Sequence, residues 1–463
     1  MHLSFPLSSL SARGCPLACL AALAASATAQ IEPNQVVVSR FQGGGGSAPL
    51  GGLSVFDLAN PGSGVEITGL SPDLTGSTSG SGNVEGSASV LVDRRTGFLV
   101  VGEHALPGAD TEIHVLYLTG TTVAQDDAYK LGSAPTGGGW VDQMAWLGDD
   151  VVFSVRGRAL TTGVMTGHLV GVLRPQVGPP GSPGTVTPVP MNPLPVGSVN
   201  ALAVDEASGT AYFAMFQGGG VPNEIYSVPV PGDGVTPATP TLVATVANGV
   251  LNLGMDGEGQ LLVGAIGALL RVDVTQSPAT VTTLQPIADV NALSVENTSG
   301  DVVIAVSGTG TIYTWQPGPS FVTLGNVAGG ASGIAIRQSL IPYGPATPGQ
   351  NSYDWVLAPN AGGAPTVGNL GFGMTVAMSP GGALGIAGLA LGETQLPVLG
   401  VTLLLEPATL VLTEALLPAA QATVSLPIPS STANIGLVVY AQTFFLEAAG
   451  LASSRALQVT ILP

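Results

Sequence analysis

Asp142, Asn200 and Asn291 each follow a valine (Val141, Val199, Val290) at the start of an apolar run, and all three carry oxygen on a short side chain. Carboxylate and amide oxygens at matched positions, brought to one axis, are the donors a hard cation such as Ca²⁺ selects. Asn252 sits one residue out of register with them. The same side chains could instead cap a water-filled channel and bond neighbouring backbone, and both readings stand. Beyond residue 30 the histidines are His104, His114 and His168. Glu103 and His104 have the types for an acid/base or metal pair, but they are neighbours in an expected strand and so point to opposite faces. His114 and His168 fall in expected third strands, toward the outside of their units, where an exposed or fully bonded histidine is ordinary. No G-x-S-x-G, H-E-x-x-H or G-x-x-x-x-G-K-[ST] pattern occurs, which removes the common hydrolase and nucleotide signatures. The glycine runs 43–46, 137–139 and 218–220 lack a following helix and cation and read as loops. No catalytic or cofactor-binding residue is assigned.

What positions these residues is an internal repeat. Val199–Met215 and Val290–Val306 lie 91 residues apart and align without a gap, with 8 of 17 positions identical, and a weaker copy starts midway at Val250. The basic period is therefore about 45 residues, the length of a four-stranded propeller blade. Each unit reads as an apolar strand, an Asp/Glu-x-x-Ser/Thr-Gly turn, a second apolar strand and two alternating strands. The turn has a local cause, since Asp and Ser bond nearby backbone and Gly accepts positive φ. Further copies start at Ser87 and Val141, and a last first-strand, Ala331–Arg337, has no partners after it. Val36–Phe41, Leu53–Leu58 and Val65–Thr68 precede the first complete unit and supply the three missing strands. The expectation is an all-β chain: a six-bladed β-propeller with shared-blade closure, which satisfies edges a linear array leaves open. A β-helix or sandwich is the alternative.

Residues 35–338 resemble the secreted bacterial six-bladed β-propellers of the NHL-like kind, in repeat grammar rather than in signature residues. Metal-dependent lactonases on six-bladed rings are similar in placing Glu, Asn and Asp around a central channel. That resemblance implies calcium as a cofactor and Asp142, Asn200 and Asn291 as its ligands, an incomplete set here.

Composition bounds the rest. Only 9% of the 463 residues are charged, against 45% hydrophobic and 5% aromatic, with 66 glycines and 37 prolines. Short strands between turns suit that mix better than long helices. The net charge of −18 argues against nucleic acid or an anionic membrane as partner. Lys130 is the only lysine, so no P-loop or Schiff-base lysine exists elsewhere. Residues 1–29 read as a secretory signal, with Arg13 early, an apolar run Pro16–Ala25 and Ala27-Thr28-Ala29 as the cleavage site. That run is too short to span a bilayer, and a lipoprotein reading through Cys19 is disfavoured by Pro16. Both cysteines, Cys15 and Cys19, lie in this segment, leaving the expected mature chain cysteine-free. The address is secreted or cell envelope.

The Pro/Gly-rich stretch Ile341–Gly349 marks a boundary, giving 1–29 as signal, 30–340 as propeller and 341–463 as a β-sandwich. Strands are expected at 366–370, 375–379, 383–391, 401–405, 409–413, 422–428, 436–445 and 454–461. Tyr343-Gly344, Thr347-Pro348-Gly349, Thr423–Pro427, Tyr440-Ala-Gln442 and Ser454–Ile461 resemble a module common at the C-terminal ends of exported proteins, which often carries cysteines that this chain lacks. The expected function is non-enzymatic binding of a protein or carbohydrate partner, or surface association, by a monomer. Loops 42–51, 70–86, 106–111 and 217–223 would build the binding face. A metal-dependent lactone or ester hydrolase in the channel is the competing class.

Overall fold

The computed structural model describes residues 31–462 apart from 34, 42–50, 63, 77–85, 94–96, 106–109, 134–138, 157–169, 175–184, 194–197, 207, 217–222, 231–233, 257–258, 297–301, 307–308, 316–319, 328–329, 345, 348–352, 357–364, 378–383, 417–420 and 449. The expected signal, both cysteines and His168 therefore lie outside the described residues. Among those described, the helical segments are one four-residue turn, Pro72–Thr75, and a 3₁₀ turn, Thr432–Asn434. No described helix is long and apolar enough to cross a membrane.

The chain divides into two compact units, the first ending at Ile341 and the second starting at Pro342. The first is a β-propeller. Val-, Ile- and Leu-rich segments of 5–8 residues, the inner ones largely buried, alternate with tight turns to give antiparallel four-strand meanders. These are Ser198–Asp205, Thr210–Phe216, Asn223–Pro229 and Thr241–Val246; then Val250–Met255, Leu261–Ala265, Ala268–Asp273 and Thr280–Pro286; then Val290–Val295, Val302–Val306, Thr311–Trp315 and Phe321–Asn326. Two further meanders are Gly86–Val92, Leu99–Ala105, Asp110–Thr119 and Thr122–Ser133, and Gly139–Leu147, Asp150–Arg156, Val170–Arg174 and Thr185–Pro188. They merge into one eight-stranded sheet because His104 pairs with Trp140 and Ala105 with Gly139. The turns follow the expected chemistry. Gly97, Gly209 and Gly259 take φ of 78°, 64° and 76°, while Ser208 Oγ donates to Asp205 Oδ2 at 2.6 Å and Asp256 Oδ1 accepts from the Gln260 N–H at 2.8 Å.

The remaining sheet joins distant parts of the chain. Ala331–Ile336 pairs with Gln35–Phe41, which continues into Gly51–Asp57 and Val65–Glu66. The first strand of every sheet touches the first strand of the next, and Ala331–Ile336 touches both Val290–Val295 and Gly86–Val92, so the cycle closes. Burial falls outward: Leu261–Ala265 is wholly buried, whereas Thr280–Pro286 is half-buried to exposed.

Each first strand carries a β-bulge near its start. The ladders skip Ala88, Asp142, Asn200, Leu251, Asn291 and Ser332, one per strand. A bulge leaves ladder groups unpaired and re-aims a side chain. Side chains of the preceding sheet fill several of the vacancies. Ser89 Oγ donates to Val141 O at 2.6 Å, Asn200 Nδ2 to Val250 O at 2.6 Å, Asn252 Nδ2 to Asn291 O at 3.2 Å and Ser332 Oγ to Ser87 O at 2.8 Å. Ser89→Ala would leave a buried carbonyl without this donor and should cost about 1–3 kcal/mol; urea unfolding of the variant measures it.

In the second unit Ala456–Thr460, Val438–Glu447, Leu384–Ala390 and Val411–Leu416 lie in that sheet order, with Gly450–Ser453 also on Val438–Glu447. Asp354–Val356, Gly373–Ala377 and Gln421–Ser425 form a second sheet, and Glu393–Val398 with Val401–Leu405 a hairpin. The strand expected at 366–370 is a turn instead, because Gly368 takes φ 86° and Asn369 Oδ1 accepts from Gly371 N–H at 3.1 Å. The strand expected at 454–461 runs over Ala456–Thr460, preceded by a separate strand, Gly450–Ser453; between them the Ser454 hydroxyl accepts from Thr443 N–H at 3.0 Å. Residues of three of the quoted C-terminal motifs, Tyr343, Tyr440 with Gln442, and Ser454, meet in one network. Tyr343 donates to Leu404 O at 2.9 Å and packs edge-on against Tyr440. Gln442 accepts from Leu404 N–H and donates to Thr402 O and Ser454 O, all at 2.9–3.1 Å.

Candidate functional site: the axial cavity

The bulged residues share a destination. Ala88, Asp142, Asn200, Leu251, Asn291 and Ser332 all line one cavity of about 210 Å³, together with His104, Trp140, Gln143 and Ala331. The three sequence-predicted residues are thus brought together by the bulges, which turn one side chain per first strand toward the axis. Asn252 is absent from the lining because Leu251 is the residue skipped by its ladder. Sequence reasoning missed Ala88, Leu251 and Ser332 as the equivalents in the other copies, since their chemistry differs, and missed Trp140 and Gln143, which flank Asp142.

The cavity wall is mixed. Among the described residues lining it, Asp142 is the one carboxylate, with amides from Asn200, Asn291 and Gln143 and a hydroxyl from Ser332. Asn200 and Ser332 are held by their backbone bonds to neighbouring strands. His104 and Trp140 meet edge-to-face with ring centroids 4.2 Å apart, joined by the pairing that merges their two sheets. The cavity therefore offers amide donors and acceptors, one carboxylate and an aromatic pair. Such a set suits a polar, hydroxylated group that hydrogen-bonds through its edge and packs its C–H face.

Glu103 and His104 do diverge as their strand position requires. His104 faces the cavity, whereas Glu103 Oε2 accepts from the Glu112 N–H at 3.0 Å. His114, expected to be exposed or fully bonded, is neither: it is 1% exposed, and its Nε2 makes no hydrogen bond. Glu112 shares its face of the strand, and Glu103 and Asp126 reach it from the strands on either side. Of the expected loop face, residues 42–50, 77–85, 106–109 and 217–222 lie outside the described residues.

No family model matches the chain, and no curated protein matches it. Solved structures with some likeness include the β-propeller domain of Myceliophteria thermophila Cps50 (Swd1), at 13% identity, TM-score 0.33, 55% of this chain and 92% of that one. A putative 6-phosphogluconolactonase from Bacteroides fragilis has 10% identity and TM-score 0.35 over 65% and 97% of the two chains. A fungal alcohol oxidase of the AA5 family, in complex with copper, has 11% identity and TM-score 0.37 over 94% and 98%. At these scores the likenesses carry no argument, and the propeller architecture rests on the closed cycle of strand contacts.

Proposed function

We propose that the chain is an exported, non-enzymatic binding protein whose propeller holds a hydroxylated ligand, of carbohydrate type, at its axis and presents the surrounding loops to it. On this reading the ring has six blades, the eight-stranded sheet counting as two joined at His104 and Trp140, with closure by the shared sheet of Ala331–Ile336 and Gln35–Phe41. Residues 1–29 act as the export signal, 30–340 form the propeller and 341–463 a β-sandwich module, placing the protein outside the cell or in the envelope.

The observation that carries the binding reading is the convergence of Asp142, Asn200, Asn291 and Ser332 with Trp140 and His104 on one cavity. The calcium-dependent hydrolase reading fits this wall less well. Leu251 and Ala88 occupy two of the equivalent axial positions, and the Asn200 amide and Ser332 hydroxyl already bond backbone, whereas Ca²⁺ takes six to eight oxygens. Calcium at millimolar concentration should leave the melting temperature unchanged. An oligosaccharide panel followed by tryptophan fluorescence, which Trp140 would report, should show a saturable response that Asp142→Ala with Asn200→Ala abolishes. Stabilisation by calcium together with turnover of a lactone would instead establish the hydrolase.

A further inference from the structure

Glu103, Glu112 and His114 each bring one ligand atom to a common point, all within 4.8 Å of one another, on the opposite side of strand Leu99–Ala105 from the axial cavity. Glu112 and His114 are two apart on Asp110–Thr119 and so share a face; Glu103 reaches them from the adjacent strand. The histidine is oriented by a fourth residue. Its Nδ1 lies 2.9 Å from Asp126 Oδ1, and a carboxylate only accepts, so Nδ1 carries the proton. In the neutral ring the lone pair then sits on Nε2, which is buried, makes no hydrogen bond and faces Glu112 Oε2 at 3.7 Å.

With the ring neutral, Nε2 and Glu112 Oε2 are two acceptors facing each other across that gap. It is too long for an N–H···O bond, which needs about 2.7–3.2 Å, but an ion about 2.1 Å from each atom would subtend roughly 120°, near the angle of a zinc site. The carboxylate behind the imidazole is the arrangement that aims a metal-binding histidine. Lys130 Nζ, 3.5 Å from Glu112 Oε1 and 3.0 Å from Asp110 Oδ2, holds the other Glu112 oxygen away from the gap.

We propose that Glu103, Glu112 and His114 form a binding site for a divalent transition-metal ion of the zinc class, which clips strand Leu99–Ala105 to strand Asp110–Thr119. Imidazole with two carboxylates suits zinc or manganese, while Ca²⁺ and Mg²⁺ prefer all-oxygen shells. The site is separate from the axial residues and stands whether or not those bind a sugar.

The test uses the full chain stripped with EDTA and titrated with Zn²⁺, Mn²⁺ and Ca²⁺ by calorimetry and thermal unfolding. One Zn²⁺ per chain should bind and raise the melting temperature, with Ca²⁺ without effect. Glu103→Gln keeps the acceptor for the Glu112 N–H but removes a charged ligand, and should weaken zinc roughly tenfold or more. Histidine-selective ¹⁵N spectra of the wild type give a second readout that needs no variant: zinc should move the Nε2 resonance of a single buried imidazole, that of His114. Absence of zinc binding, equal binding by Glu103→Gln, or zinc that leaves the His114 resonance in place would each overturn the proposal.

Discussion

A chain lacking residues 30–41 is expected to lose cooperative unfolding of the propeller altogether. Val36, Val37 and Val38 are fully buried, and strand Gln35–Phe41 separates Ala331–Ile336 from Gly51–Asp57. Its removal exposes Val36 and Val38 contacts with Ile334 and Ile336 on one face and the Val37 contacts with Leu53 and Ala335 on the other. Each buried valine contributes about 1.5–3 kcal/mol, and the loss of two ladders adds to that, against a total stability of about 5–15 kcal/mol. A smaller lesion tests the same interface without deleting backbone. Val37→Asp places an unpaired charge where no solvent reaches and should cost more than about 3 kcal/mol. Circular dichroism with thermal unfolding reads both, and a sharp transition at the wild-type temperature in the truncated chain would show that the shared sheet does not hold the ring.

Gly264→Val should be the most damaging single substitution in the second strands. Gly264 is the residue opposite Asn252, next to the bulge, and a Cβ there would lie 2.7 Å from Val290 O and 2.9 Å from the Val290 side chain. Backbone of the next first strand cannot give way cheaply. The equivalent positions explain why: Gly102, Ser154, Ala214, Ala305 and Ser39 pair with Ser89, Gln143, Ala201, Ala292 and Gly333 in their own sheets. All are small, because the neighbouring sheet crosses closely at that level; at Gly102 an added Cβ would meet Val141 at 2.7 Å. Overpacking of this kind costs about 1–3 kcal/mol and more where backbone must move, so Gly264→Val is placed at about 3 kcal/mol or above and Gly264→Ala below it. Urea denaturation of both variants orders them, and a Val variant as stable as the wild type would mean that the sheets can slide apart at this level.

The repeat and its turns were legible in the sequence because their causes are local. An Asp-to-Gly turn between two apolar runs needs only neighbouring residues, and the first strands expected at Ser87, Val141, Val199, Val250, Val290 and Ala331 each coincide with an observed strand. The pairing of Gln35–Phe41 with Ala331–Ile336 could be read from counting strands that otherwise lacked partners. The axial wall was legible in part. Asp142, Asn200 and Asn291 stood out because polar residues interrupt apolar runs at matched positions, while Ala88 and Leu251 serve the same place without leaving that mark. What makes the position axial is the bulge, and nothing in the residue types announces a bulge. The Glu103, Glu112 and His114 cluster was hidden for a related reason. It depends on cross-strand register between two long strands, and reading His114 as outward by its place in the repeat overlooked the acidic residues stacked over it. In the C-terminal unit, Tyr343, Tyr440, Gln442 and Ser454 were recognisable as motif, and the structure packs Tyr343 on Tyr440 and bonds Gln442 to Ser454 and Leu404.

Closure of the ring by Gln35–Phe41 against Ala331–Ile336 also sets an order of events during synthesis. The leading strand must wait for a partner about 295 residues behind it, so a nascent chain emerging N-terminus first displays an unfilled sheet edge until nearly the whole ring has been made. Such a delay favours any factor that keeps the chain extended, and it links completion of the fold to passage of Ile336 rather than to any earlier repeat.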